Sequence, residues 1–121
     1  MDGEILYCMI RHFKPNKIIE IGSGHSTYLS AQAILKNKEE HGINGELIVI
    51  DPYLSGTLRE GFPGLSKVIV AKVQDVEMPV FSELKENDIL FIDSSHVLKI
   101  ESVITNLNNQ IILIQNLPLI F

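Results

Sequence analysis

The stretch Lys17–Thr27, KIIEIGSGHST, constrains the fold more than any other part of the chain. Ile18, Ile19 and Ile21 form a short β-branched run of the kind that a strand buries, and Gly22, Ser23 and Gly24 end it in a turn. Ser26 is a good N-cap for the helix that follows. This succession places backbone N–H groups, unshielded by side chains, at the positive end of a helix. Such an arrangement favours a cofactor carrying a negative group.

The remaining segments supply partners for that strand. Residues 2–13 put Ile5, Leu6, Met9, Ile10 and Phe13 at helical spacing, with Asp2 and Glu4 in the first turn, and Pro15 stops the helix. The helix after the glycine turn is expected to end near Asn37, with Leu29, Ala33 and Ile34 facing inward, and KNKEEHGING reads as a surface loop. Glu46–Ile50 is a compact apolar strand closed by Asp51 and Pro52. A largely looped stretch with one weak helical turn leads to a third strand over Val68–Val73. A short helix over Phe81–Lys85 and a fourth strand over Asp88–Ile92 follow. A helix over Val97–Leu107 and a fifth strand within IILIQNLPLIF complete the pattern. The fold class is therefore α/β: a Rossmann-like, doubly wound, mainly parallel sheet of about five strands with flanking helices, in one domain over residues 1–121.

Composition narrows the function classes. With 45% hydrophobic and 21% charged residues the chain is too apolar for disorder. Its ten Lys and Arg are scattered and outnumbered by fifteen Asp and Glu, which argues against nucleic acid or an acidic membrane as the main partner. Cys8 is the one cysteine, so no intrachain disulfide or cysteine-based zinc site is expected, and its place on an apolar helix face suggests a reduced core thiol. The N-terminal residues lack the basic leader and apolar run of a secretory signal, and no run is long enough to span a bilayer; a cytoplasmic location is expected.

The acids carry the chemistry. Asp51, Asp75 and Asp93 each close a predicted strand, and Glu20 stands one residue before the end of the first. Ligands of open parallel sheets bind at the carboxyl ends of the strands, so these acids should meet at one edge. Asp51 is suited to accept two hydrogen bonds from a ribose diol. Asp75 reads equally well as a turn residue. A dinucleotide site would need glycine in place of Thr27 and an acid about 20 residues on, earlier than Asp51. Glu20, Gly22 and Gly24 instead form E-x-G-x-G, which suits a nucleoside cofactor without a pyrophosphate.

IIEIGSGHST, LIVIDPY, VQDV and NDILFIDSSHV, in that order over roughly residues 14–100, resemble the class I S-adenosylmethionine-dependent methyltransferases, in particular a small-molecule methyltransferase-like group with EIGSGHST and FIDSSH segments. The resemblance implies S-adenosylmethionine as cofactor and a small-molecule methyl acceptor. Glu20, Gly22, Ser23 and Gly24 would form the cofactor loop, and His25 and Ser26 would lie near the methionine carboxylate. Asp51 would bind the ribose hydroxyls, Tyr53 would border the adenine, and Gln74, Asp75 and Val76 would approach its amino group. Asp93 and His96 would face the methyl and its acceptor. His96 would act as a base or cap the next helix; Asp93 would orient His96, bind the acceptor or hold a divalent cation. His12 and His41 read as surface residues.

The family's sixth and seventh strands have no counterpart in ESVITNLNNQIILIQNLPLIF, so a C-terminally truncated, cofactor-binding half is expected. The alternatives are an inactive remnant serving as an interaction or structural module and, less suited to Thr27, a nicotinamide-dependent oxidoreductase. An uncovered apolar edge strand at the tail would favour homo-oligomers.

Overall fold

The computed structural model describes residues 3–54, 56–92 and 110–115. Its helices and strands alternate: α1 (Gly3–Phe13), β1 (Lys17–Ile21), α2 (His25–His41), β2 (Glu46–Ile50), α3 (Gly56–Glu60), β3 (Lys67–Ile69), α4 (Met78–Ser82), β4 (Ile89–Ile92) and β5 (Ile112–Gln115). All the strand pairings are parallel, in the order β3-β2-β1-β4-β5. The strand Lys17–Ile21 is thus central, and the expected Rossmann-like α/β sheet of five strands is what the chain forms.

Alternation along the strands divides the core into two layers. Ile18, Leu47, Val49, Ile89, Phe91 and Ile114 face α1, α2 and α3, where Leu6, Ile10, Ala31, Ala33, Ile34 and Leu58 meet them. Ile19, Ile21, Ile48, Ile50, Leu90 and Ile92 face the other way, against Val73, Phe81 and Leu84. Burial on both faces explains why the strands read as continuous apolar runs.

α1 and α2 run side by side in the same direction. A side chain at Gly3 would meet Leu29 Cδ1 at 2.5 Å and Ser26 Cα at 3.2 Å, so the helices touch at their first turns. Near the other end Arg11 donates to Asn37 Oδ1 at 2.8 Å and pairs with Glu40, while Asn37 Nδ2 donates to the Ile10 carbonyl at 3.0 Å.

Several expectations are corrected. α2 continues four residues past Asn37 to His41, because Asn37 is buried and bonded to α1, and Lys36 pairs with Glu39 and Glu40 one turn on. Gly42 ends the helix, its N–H donating to the Lys38 carbonyl. The first part of KNKEEHGING is therefore the polar last turn of a helix. Gly24 takes the N-cap position expected of Ser26. β3 stops at Ile69, and Val73–Asp75 is a 3-10 turn. α4 starts at Met78, with Pro79 inside its first turn, where a missing N–H costs nothing. Cys8 is exposed: it lies two residues from both Leu6 and Ile10, on the opposite side of α1 from the face they bury. His12 and His41 are exposed, as expected.

The proposed helix over Val97–Leu107, the segment Asp93–His96 and the tail after β5 lie outside the described residues.

Candidate functional site

β1, β2 and β4 end in register, with Ile21 opposite Ile50 on one side and Ile92 on the other. The glycine loop therefore leaves the sheet between two neighbouring strand ends. Gly22 takes φ +91°, a left-handed value that glycine adopts without a Cβ penalty, and its N–H extends the ladder to the Ile50 carbonyl at 2.9 Å.

Ser23 then closes the loop onto the end of β2: its hydroxyl donates to Asp51 Oδ2 at 2.6 Å. The other oxygen, Oδ1, accepts the Tyr53 N–H at 2.8 Å. A carboxylate offers about four lone-pair positions, so Asp51 keeps acceptor capacity beyond these two bonds. It is half-buried, and its own N–H is tied to the Ile69 carbonyl of β3 at 3.1 Å. Asp51 is consequently held from three directions while its carboxylate still meets solvent.

Beneath the loop is a second carboxylate with a different task. Glu20 is fully buried, facing the α1 and α2 layer between Val49 and Phe91. Burying a carboxylate demands hydrogen-bond donors. The first turn of α2 provides two, Ser26 Oγ at 2.8 Å and Thr27 Oγ1 at 2.9 Å, both to Glu20 Oε1. Thr27 Oγ1 also accepts the Gly24 N–H at 3.2 Å. The loop's last residue, the helix start and the strand are thereby joined through one oxygen.

The sequence-predicted residues separate accordingly. Gly22, Ser23, Gly24 and Asp51 come together at the sheet edge. Glu20 and Ser26 sit below that edge and bond each other, which makes them supports of the loop. His25 is exposed at the first position of α2, and Tyr53 is 84% exposed, tied to Asp51 through its backbone. Asp75 does not close a strand: it is exposed in the 3-10 turn, six residues beyond the end of β3, with half-buried Gln74 and Val76 on either side. Val76 packs on the lower core layer. Thr27 was significant in the sequence only as a missing glycine, yet it is the bridge between Gly24 and Glu20; hydroxyls six and seven residues after a strand glutamate are the signal that marks it.

A Cβ built on Gly24 would meet nothing within 4 Å, so no neighbouring atom covers the loop at that point. Among the described residues no group of three or more His, Cys, Asp and Glu is placed to hold a metal ion. No helix among them is long and apolar enough to cross a membrane.

A parallel sheet whose central strand runs into a glycine loop, with an aspartate at the end of the adjoining strand, is the arrangement of the Rossmann-like class. The model of the methyltransferase domain family matches residues 19–111, and the chain belongs to that family, whose members are class I S-adenosylmethionine-dependent methyltransferase-like proteins. It is also similar to an uncharacterized protein of Archaeoglobus fulgidus, 36% identical over 89 residues that make up 72% of this chain. The matched part spans 39% of that relative's length.

Proposed function

We propose that the chain binds S-adenosylmethionine at the edge formed by Gly22–Gly24 and Asp51, and that it serves methyl transfer to a small-molecule acceptor in the cytoplasm. The observation that carries this reading is the 2.6 Å bond from Ser23 to Asp51, which sets a glycine loop and a ribose-type acceptor side by side at the carboxyl ends of the strands.

In this reading Asp51 accepts from the ribose hydroxyls, and Tyr53 covers one side of the base that follows. Gln74, Asp75 and Val76 approach the base from beyond β3. His25 and Ser26 present the helix start to the carboxylate of the methionine moiety. The bound cofactor supplies a methyl group on a sulfonium centre. The protein's own part is alignment of that methyl with the acceptor atom, since an in-line displacement gains most from fixed geometry. Asp93 positions the acceptor or a divalent cation beside it. His96 accepts the proton that a hydroxyl acceptor gives up, a task for which imidazole suits neutral pH.

Calorimetric titration with S-adenosylmethionine and S-adenosylhomocysteine tests the reading, with NADH as the competing ligand. Saturable heat with the first two is expected, together with a larger loss of affinity in Asp51→Ala than in His96→Ala. Absence of both heat and thermal shift with either ligand overturns it, and NADH binding alone would move the chain to the oxidoreductase reading.

A further inference from the structure

α1 buries only part of its circumference. Leu6 and Ile10 enter the core, and Arg11 reaches across to α2. Away from these, two rows run along the helix at four-residue spacing, Glu4–Cys8–His12 and Ile5–Met9–Phe13, and together they line a shallow surface groove. Ile5 is 48% and Phe13 37% exposed, Cys8 is exposed, and Met9 is half-buried. Single exposed apolar residues need no explanation, but an apolar row backed by a second row on one helix marks a contact surface. None of these six residues belongs to the glycine-loop edge.

The pattern fits a second copy of the same chain. Rows at four-residue spacing are the ridges by which helices interlock. The stripe also has opposite chemistry at its two ends: Glu4 is an acceptor at the start of α1, and His12 is an imidazole donor at its end. A helix laid across in the reverse sense matches both ends at once, whereas one laid in the same sense sets Glu4 against Glu4. Such self-complementarity is what a closed two-fold contact requires. The chain's net charge of -5 opposes self-association elsewhere on the surface, whereas this stripe carries a single acid.

We infer that α1 is the contact of a two-fold dimer, with Glu4 opposite His12 of the partner subunit and the two Cys8 thiols adjacent across the axis. One face of an 11-residue helix, about 16 Å long, buries less than the roughly 800 Å² per partner of a stable complex. The dimer is therefore weak and concentration-dependent.

Sedimentation over about 10 to 1000 µM should show the mass rising toward twice that of the monomer, and a short bismaleimide should link Cys8 to Cys8. Ile5→Asp and Phe13→Asp, with folding checked by circular dichroism, should each raise the dissociation constant about tenfold or more. Glu4→Lys should weaken the dimer, and Glu4→Lys combined with His12→Glu should restore it. A monomer at the highest concentration overturns the inference. A dimer that neither cross-links through Cys8 nor responds to Ile5→Asp also overturns it.

Discussion

Glu20 and Thr27 belong to different elements, and the 2.9 Å bond from the Thr27 hydroxyl to Glu20 Oε1 fixes the first turn of α2 to the central strand. The same hydroxyl holds the Gly24 N–H, so the loop's shape is set from below, out of contact with solvent. Thr27→Val keeps the size of the side chain and removes both bonds. It should cost about 1–3 kcal/mol of stability, measured from urea unfolding midpoints, and Thr27→Ser should recover most of that loss.

The Ser23–Asp51 contact should behave differently, because it lies at the half-buried upper edge. Ser23→Ala should leave the unfolding midpoint nearly unchanged and weaken S-adenosylmethionine binding by about threefold to tenfold, as expected for one hydrogen bond that organises a site. A titration series with Lys38→Ala as reference checks this, since that exposed residue lies in the last turn of α2, away from the loop.

Gly64 packs its backbone onto α2. A Cβ there would stand 2.6 Å from the Ala31 carbonyl oxygen and 2.8 Å from its Cβ, and φ is +95°. Both neighbours belong to a helix that cannot yield locally. Gly64→Ala should destabilise the fold by about 2 kcal/mol or more, read as a lowered melting temperature.

Glu40 provides a pH test. Its hydrogen bond from Arg11, helped by the charges of Arg11, Lys36 and His41, holds its carboxyl below the ordinary glutamate value against a smaller opposing effect of burial. A depressed folded-state value contributes stability that is present above the unfolded value and lost as pH falls through the folded one. Glu40→Gln should therefore be slightly less stable than wild type at neutral pH, and the two should converge in acid. The difference should shrink in high salt, because the pair is exposed to solvent.

The parts of the fold legible in the sequence are those decided locally. Glu46–Ile50 is readable to the residue because Gly45 and Pro52 enclose the apolar run Leu47–Ile50, whereas β5 is readable only as lying somewhere within IILIQNLPLIF. Where tertiary contact decides, reading failed. The end of α2 depends on Asn37 being bonded to α1, and KNKEEH contains no apolar residue to announce it. β3 is an edge strand with a single neighbour, so the apolar letters of Val70 and Val73 extended it on paper beyond its last ladder bond. Cys8 reads as part of the apolar face of α1, but at about 100° per residue it falls on the side away from Leu6 and Ile10 and is exposed. At the site, the glycines and Asp51 were legible from spacing, whereas the division of labour between Asp51 and Glu20 required knowing which carboxylate the hydroxyls of α2 reach.

The sheet order has a consequence for how the protein is made. Lys17 N–H donates to Asp88 Oδ1, 71 residues further along, and β1 lacks its second neighbour until Ile89–Ile92 has been synthesised. A growing chain on the ribosome can join β1 to β2 early, but one side of the central strand stays open until β4 emerges. During that interval KIIEI is an unpaired apolar edge, the kind of surface to which other nascent strands or a chaperone attach. Closing so long a loop also makes the final β1–β4 pairing a slow, late event. The glycine loop leaves β1 between the ends of β2 and β4, so its surroundings are complete only once that pairing has formed.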